Sequence, residues 1–459
     1  MNEDITTQCL LFPELFDRPV VVKFDQRQGS SDGGAVLLKS LDQRLGLTSA
    51  LAACLEDQRQ TGKVQHEIDE ILTQRIMAIA CGYEDANDAA RLASDPIHKL
   101  LVGRDPLQGR DLASQPTLSR FENAPDRKQM FRMTEALADT VIQRHRSRLC
   151  GRARRITIDL DPTEDPTHGE QQLSFFNGYY DTWCYLPMVG YLTFNDEREQ
   201  FLFTAILRPG NATAGRGAVG ILRRLISRLR QAFPGVVLRV RLDGGFATPE
   251  VFTFLEAQPR LEYVVNMGSN AVLQRLAEPA LQIVRRLAQK SGKTEHLYGE
   301  GCYAAKTWEK QRRVLYKAEV VRHGEREPKD NPRFVVTNMK QTPQWLYEEV
   351  YCQRGDIENR VKELHYGLEI GRTSCTDFWA NQFRVLMTAA AYVLLQELRL
   401  HAARTDCESA QVSTLRLRLL KLGAYVVVSV RRIVIHLPQA FPYQDTFHRL
   451  AASLGARSG

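Results

Sequence analysis

The chain has no C-x-x-C pair and no even set of cysteines. Its nine cysteines are scattered along 459 residues, a pattern that argues against a disulfide framework and against a zinc site and points to a reducing compartment. It also lacks a long apolar run. The most apolar helical stretch, Phe383 to Leu398, carries Arg384, Gln396 and Glu397, is too short to span a bilayer, and reads as a buried core helix. The opening Met1-Asn2-Glu3-Asp4 is acidic, without an apolar signal core. No internal repeat or low-complexity segment is visible. Strong charge of one sign is missing too: the net charge is +7, mild for a nucleic-acid-binding protein. Basic residues instead cluster locally, at Arg152, Arg154 and Arg155, at Arg223, Arg224, Arg228 and Arg230, and at Arg416, Arg418, Lys421, Arg431 and Arg432. Such stripes either neutralise phosphates or keep a helix soluble. The hydrophobic content of 43% is enough for real cores, and the length fits two to four domains.

What the chain does have is a helical segment with two chemically different faces. Tyr351, Arg354, Glu358, Lys362 and His365 recur at steps of three or four residues and share one side of a helix. Ile357, Val361, Leu364 and Leu368 supply an adjacent apolar stripe that holds the helix on a core. A solvated face with a Glu358 to Lys362 ion pair accounts for such a pattern unless other carboxylates lie upstream on strands. They do. In Arg155-Ile156-Thr157-Ile158-Asp159-Leu160-Asp161-Pro162-Thr163, the apolar residues alternate with Thr157, Asp159 and Asp161. Val236 to Leu242 is a second strand, ending in Asp243-Gly244-Gly245, with Thr248-Pro249-Glu250 as a helix start. An Asp at a strand end is where open α/β sheets place their chemistry, although Asp before Gly is also an ordinary turn.

The order of elements makes these acids usable together. Strands at Cys184 to Phe194 and Phe201 to Arg208 follow the Asp159/Asp161 strand. A helix over Gly217 to Phe233, the Asp243 strand, a helix over Pro249 to Ala257 and a strand at Leu261 to Val265 come next. Three strands, helix, strand, helix, strand predicts an α/β, ribonuclease-H-like mixed sheet. That architecture brings an Asp from the first strand, an Asp from the end of the fourth and a carboxylate from a later helix around two divalent cations. Oxygen ligands of this kind suit Mg²⁺ or Mn²⁺ rather than Zn²⁺.

At these motifs the chain resembles bacterial DDE-type insertion-sequence transposases, and is most similar to the insertion-sequence-thirteen-eighty group, whose relatives carry a Tyr, Arg, Glu, Lys signature around the last acid. The resemblance spans nearly the whole chain. It includes Asp32-Gly33-Gly34, Gly82-Tyr83-Glu84-Asp85 with Asn87-Asp88, and Pro116-Thr117-Leu118-Ser119-Arg120-Phe121-Glu122-Asn123. It implies that Asp161, Asp243 and Glu358 are catalytic and bind two Mg²⁺, with Mn²⁺ able to substitute. It also implies that the protein cuts the ends of a mobile element and joins the 3′ hydroxyls to target DNA. Tyr351 and Arg354 match residues that hold DNA near the cleaved phosphate. The signature's final Lys is His365 here, so either His365 or the nearer Lys362 takes the phosphate-binding role. The family's Asp-x-Thr pattern fits Asp161-Pro162-Thr163, with Asp159 as a second metal ligand or a structural partner. Implied partners are double-stranded DNA, as terminal repeats and target, and a second copy in a paired-end complex. The expected place is the bacterial cytoplasm, nucleoid-associated when on DNA, with no membrane. Two other functions share these residues: a structure-specific nuclease on the same core, and a silent, transposase-derived DNA-binding protein.

The layout expected from this reading is an all-α DNA-binding region over 1–150 and a first catalytic part over 151–265. A mainly β insertion over 266–345, a second catalytic part over 346–400 carrying Glu358, and a tail over 401–459 packing on the core follow. In the amino-terminal region Leu37, Leu38, Leu41 and Leu45 form one helical stripe and Ile68, Ile71, Leu72, Ile76 and Ile79 another. The Ser114 to Arg120 segment either reads DNA as part of a helix-turn-helix-like element or merely packs helices. In the insertion, strands are expected at Gly301 to Trp308, Arg313 to Arg322 and Arg333 to Asn338, around a polar His323 to Pro328 turn. Trp308 lies among Lys306, Lys310, Arg312, Arg313 and Lys317, a mixture that either contacts DNA or forms an ordinary strand.

Overall fold

The computed structural model describes residues 10–324 and 326–457; the acidic Met1 to Asp4 and Glu325 of the polar turn lie outside them. The residues form two compact units. Those up to Ala124 together with those from Leu394 make one, and Pro125–Val393 the other. The division differs from the expected layout, because the long helix Arg127–Arg148 groups with the sheet and the tail groups with the amino-terminal helices.

The unit from Pro125 to Val393 is built on one mixed sheet. Its strands are β1 (Arg155–Pro162), β2 (Met188–Phe194), β3 (Phe201–Ile206), β4 (Val237–Leu242), β5 (Leu261–Met267), β6 (Glu295–Tyr303), β7 (Arg312–Val321) and β8 (Arg333–Thr337). They lie in the order β6-β7-β8-β5-β4-β1-β2-β3, with Lys329–Asp330 paired to β7. β1, β4 and β5 run parallel and the remaining neighbours antiparallel. The segment 266–345 therefore makes no separate sheet. Its strands extend the central one, because Phe334 to Thr337 pairs with both Val264 to Met267 and Arg313 to Tyr316.

Helix α1 (Ala218–Ala232) buries Ile221, Leu222, Leu225, Ile226 and Leu229. Its Arg224 and Arg228 are ion-paired to Glu135 and Asp139, so this part of the arginine stripe joins two helices. α2 (Pro249–Glu256) starts as its residues dictate, with Thr248 accepting from the Val251 amide and Pro249 in the first turn. Trp308 is buried rather than presented to solvent. Its ring meets Phe252 at 5.0 Å and the Arg312 guanidinium at 4.8 Å, and Arg312 is in turn paired to Glu256. This settles that tryptophan as core.

The other unit is mostly helical but not all-α. Short strands occur at Leu10–Phe12, Val20–Val22 and Gly29–Ser30, the last paired to Ala424–Val428, which also pairs with Ile433–His436. Two or three residues are too few for a period to show in the sequence. The helical stripes hold: Leu37, Leu38 and Leu41, and Ile71, Leu72, Ile76 and Ile79, are buried. Gly34 is required because a Cβ there meets the Leu419 carbonyl oxygen at 1.7 Å. Beside it, buried Asp32 is held by His98 at 2.9 Å and Lys421 at 2.8 Å. The helix Gln115–Glu122 buries Leu118, Phe121 and Glu122, the last paired to buried Arg75 at 2.7 Å.

Candidate active site

The parallel register of β1 and β4 sets the site. Arg239 lies opposite Thr157 and Arg241 opposite Asp159; two residues further along both strands come Asp243 and Asp161. Arg241 reaches across to Asp159 through two nitrogens, Nε to Oδ1 at 2.8 Å and Nη2 to Oδ2 at 2.7 Å. Its Nη1 donates to the Val350 carbonyl at 3.2 Å. Asp159 is fully buried, and both its oxygens are engaged by one guanidinium. Asp161 points the same way but is free of Arg241. Its Oδ1 accepts from Arg354 Nη2 at 2.6 Å. The same nitrogen lies 3.8 Å from Asp243 Oδ2, while Asp243 Oδ1 accepts from the Gly245 amide at 2.8 Å.

Two carboxylates thus share one cationic nitrogen. Burial pushes the Asp161 carboxyl up to about 6; Asp243 and Asp159 push it the same way, against the Arg354 guanidinium. One guanidinium does not fully offset two adjacent acids. Hard oxygen donors converging on a cation with negative charge left over are what a divalent metal requires, and Asp161 and Asp243 fit such an ion.

The segment carrying Arg354 is clamped as its apolar stripe implies. Leu346, Tyr347 and Val350 pack with Val264, Leu315, Val335 and Met339, and Tyr351 lies against that cluster. Ile357, Leu364 and Leu368 are buried and Val361 partly so. The helix is not uniform. Wide π-type turns at Leu346–Tyr351 and Glu363–Gly367 flank a tight turn at Cys352–Gly355 and a regular α stretch at Asp356–Lys362. Irregularities of this kind often accompany functional sites.

Two residues of its polar face touch the end of β1 region. Arg354 meets Asp161, and His365 Nε2 lies 2.7 Å from Thr163 Oγ1. Burial pushes the His365 pKa down, which leaves the ring neutral at pH 7. In sequence Glu358 comes one turn after Arg354 and two before His365. It is exposed, and among the described residues it makes no ion pair. Lys362 is exposed as well, and Tyr351 is half-buried, its phenol pushed up by burial. The structure therefore brings Asp161, Asp243 and Arg354 together, whereas Glu358 is exposed and takes part in none of these contacts; the three acids do not form one cluster of possible metal ligands.

Three residues near the site were given no role from sequence. Arg208 is buried, with Nε on the Leu186 carbonyl at 2.9 Å and Nη1 on the carbonyls of Thr213 at 3.0 Å, Ala214 at 3.0 Å and Arg216 at 3.2 Å. Its Nη2 has no partner among the described residues. Burial, and then the charge of Arg216, lower its pKa to about 10, against Tyr180 and Asp243. Tyr180 is raised to about 12 by burial, with Tyr179, Asp161, Glu164 and Asp243 acting in the same direction. Asp165 is buried, and Oδ2 accepts from Thr373 Oγ1 at 2.8 Å. Burial pushes its pKa to about 8. An arginine before Pro209-Gly210 was the only available signal, and it resembles any turn.

Among the described residues, the group of three possible metal ligands whose ligand atoms lie within 4.8 Å of one another is Asp32, Cys81 and His98. Lys421 already supplies its cation, 2.8 Å from Asp32. No helix among the described residues is long and apolar enough to cross a membrane.

Comparison with known proteins adds a family. The model described as "Transposase DDE domain group 1" matches residues 12–458. Among solved structures the chain is similar to a piggyBac transposase, seen by cryo-EM as a synaptic complex with hairpin DNA. The TM-score is 0.42 and the identity 11%, over 85% of this chain and 80% of that one. No curated protein matches.

Proposed function

The chain belongs to the transposase DDE domain family, group 1, and from that premise we propose that it cuts at the ends of an insertion sequence and joins the 3′ hydroxyls to target DNA. The observation that carries this reading is the placement of Asp161 and Asp243 on one nitrogen of Arg354, at 2.6 and 3.8 Å.

Asp161 and Asp243, joined by Glu358, would hold Mg²⁺, with Mn²⁺ as a substitute, and a pair of such ions would supply activation of the attacking oxygen and charge stabilisation of the leaving one. The remaining roles belong to the chain. Asp159 keeps β1 and β4 in register through Arg241 and is a structural partner rather than a ligand, since both its oxygens are engaged. Arg354 balances the acid pair before metal binds and then turns to the neighbouring phosphate, with Tyr351 beside it. His365, neutral and bonded to Thr163, orients the end of the Asp161 strand. Lys362, exposed on the same face, takes the phosphate-binding role of the signature Lys. Within that family we place the chain nearest the insertion-sequence-thirteen-eighty group, on its sequence resemblance, and infer a homodimer that holds two ends of double-stranded DNA.

The test is a strand-transfer assay with the element's own ends and Mg²⁺. Joined products that vanish in Asp243→Asn support the reading. Cleavage without joining makes the protein a structure-specific nuclease. Binding without either makes it a silent derivative.

A further inference from the structure

Between β1 and β2 the chain makes a small three-stranded sheet, Asp165–Pro166, Phe175–Asn177 and Thr182–Tyr185. Its hairpin turns large rings outward. Tyr179 is 88% exposed, Trp183 58% and Phe176 51%. Phe176 and Trp183 are cross-strand partners whose rings meet edge to face at 6.3 Å, and Tyr179 meets Tyr180 the same way at 4.8 Å. Exposed aromatics on a short hairpin cost solubility without adding to a core.

The hairpin is held rigidly. Asn177 donates to the Gly210 carbonyl at 2.8 Å, and Gly210 sits so close to the strands that a Cβ meets the Cys184 oxygen at 2.1 Å and the Phe175 oxygen at 2.6 Å. Two residues before Gly210 is Arg208, only 6% exposed, whose Nη2 has no partner among the described residues. The hairpin also adjoins the acid pair, because Asp161, Glu164 and Asp243 all act electrostatically on Tyr180. Rings, an uncommitted guanidinium nitrogen and two candidate metal-binding acids therefore belong to one neighbourhood.

We propose that the hairpin of Phe176, Tyr179 and Trp183 stacks unpaired bases of the DNA strand whose phosphate is presented to Asp161 and Asp243. The inference rests on the functional reading above and adds its substrate form, a strand with bases out of the duplex. An ionic contact alone holds duplex and single strand alike. Flat rings beside it hold only bases whose faces are free. The identity of the base is immaterial to stacking; the tip also carries the exposed Asp181 carboxylate.

The experiment uses the full chain, Ca²⁺ in place of Mg²⁺, and two probes: a twelve-residue oligothymidine and a blunt twelve-base-pair duplex, with affinity read by fluorescence anisotropy. The double variant Tyr179→Ala/Trp183→Ala is expected to lose about tenfold or more in affinity for the single strand, with less than a twofold change for the duplex. Trp183→Phe retains a ring and keeps most of the single-strand affinity. Equal loss on both probes, or no loss on the single strand, overturns the proposal. So does a fall in oligomer mass of the double variant by light scattering, which assigns the rings to a second copy. A wild-type protein that cleaves DNA while the double variant binds oligothymidine unchanged refutes only the hairpin's role. A wild-type protein that binds neither probe refutes the functional reading, and this one with it.

Discussion

Nη2 of Arg354 lies 2.6 Å from Oδ1 of Asp161, so this arginine is bound to an acid rather than facing solvent. The guanidinium and a divalent cation bound there would compete for that oxygen. Arg354→Gln removes the competitor and leaves Asp161 beside Asp243, which raises repulsion in the metal-free protein. Its thermal midpoint without metal is expected to fall. The upshift on adding MnCl₂ is expected to exceed that of the wild type by about 2–4 °C, the effect of about 1 kcal/mol. Scanning calorimetry with and without Mn²⁺ checks both.

Asp159 and Arg241 form a buried, two-bond pair. Removing one partner strands a charge, and Arg241→Met is expected to destabilise by about 3–5 kcal/mol in urea unfolding. Asp159→Asn keeps one acceptor and is expected to leave Mn²⁺ affinity within about twofold while lowering stability. A loss of Mn²⁺ binding that matches Asp161→Asn makes Asp159 a ligand.

Asp165 gives a pH signature. An ordinary Asp releases its proton at 3.8, whereas the folded Asp165 holds it up to about 8. Between those values the native state carries one more proton than the unfolded chain, so stability falls as pH rises. The contribution is complete below pH 4 and lost through pH 8. Asp165→Asn is expected to remove a difference on the order of a few kcal/mol between these limits. Thermal midpoints of both proteins at pH 4.5, 6 and 8 test it, and parallel curves contradict it.

Activity separates the acids from their neighbours. Asp161→Asn, Asp243→Asn and Glu358→Gln are each expected to lower DNA nicking by at least about a hundredfold with unchanged circular dichroism. Lys362→Ala is expected to weaken DNA binding more than His365→Ala, because only the lysine is both charged and exposed. Filter binding at two salt concentrations reads the lost phosphate contact as a smaller salt slope.

Much of this arrangement is legible from residue order. The alternation of Ile156, Ile158 and Leu160 with Thr157, Asp159 and Asp161 marks a strand with an apolar and a polar face, and the stripe of Ile357, Leu364 and Leu368 marks the clamped helix. Periodicity does not separate Asp159 from Asp161, because both lie on one face. What separates them is Arg241, which the parallel register sets opposite Asp159; pairing partners are not written in a single strand. The segment 266–345 reads as an inserted subdomain because the stretch from Asp243 to Glu358 is too long for one strand and one helix. Only the pairing of Val335 with Asn266 and Leu315 shows that its strands extend the main sheet. Arg208 has no local signal, since its carbonyl partners come from a loop without periodicity.

The most direct measurement is anomalous scattering from crystals of the full chain soaked in Mn²⁺. The account predicts Mn²⁺ density in contact with Asp161 and Asp243, Arg354 displaced from Asp161, Glu358 within the same coordination shell, and Asp159 still paired to Arg241. Crystals in which Arg354 keeps both acids, no Mn²⁺ appears between them and Glu358 stays in solvent would contradict it.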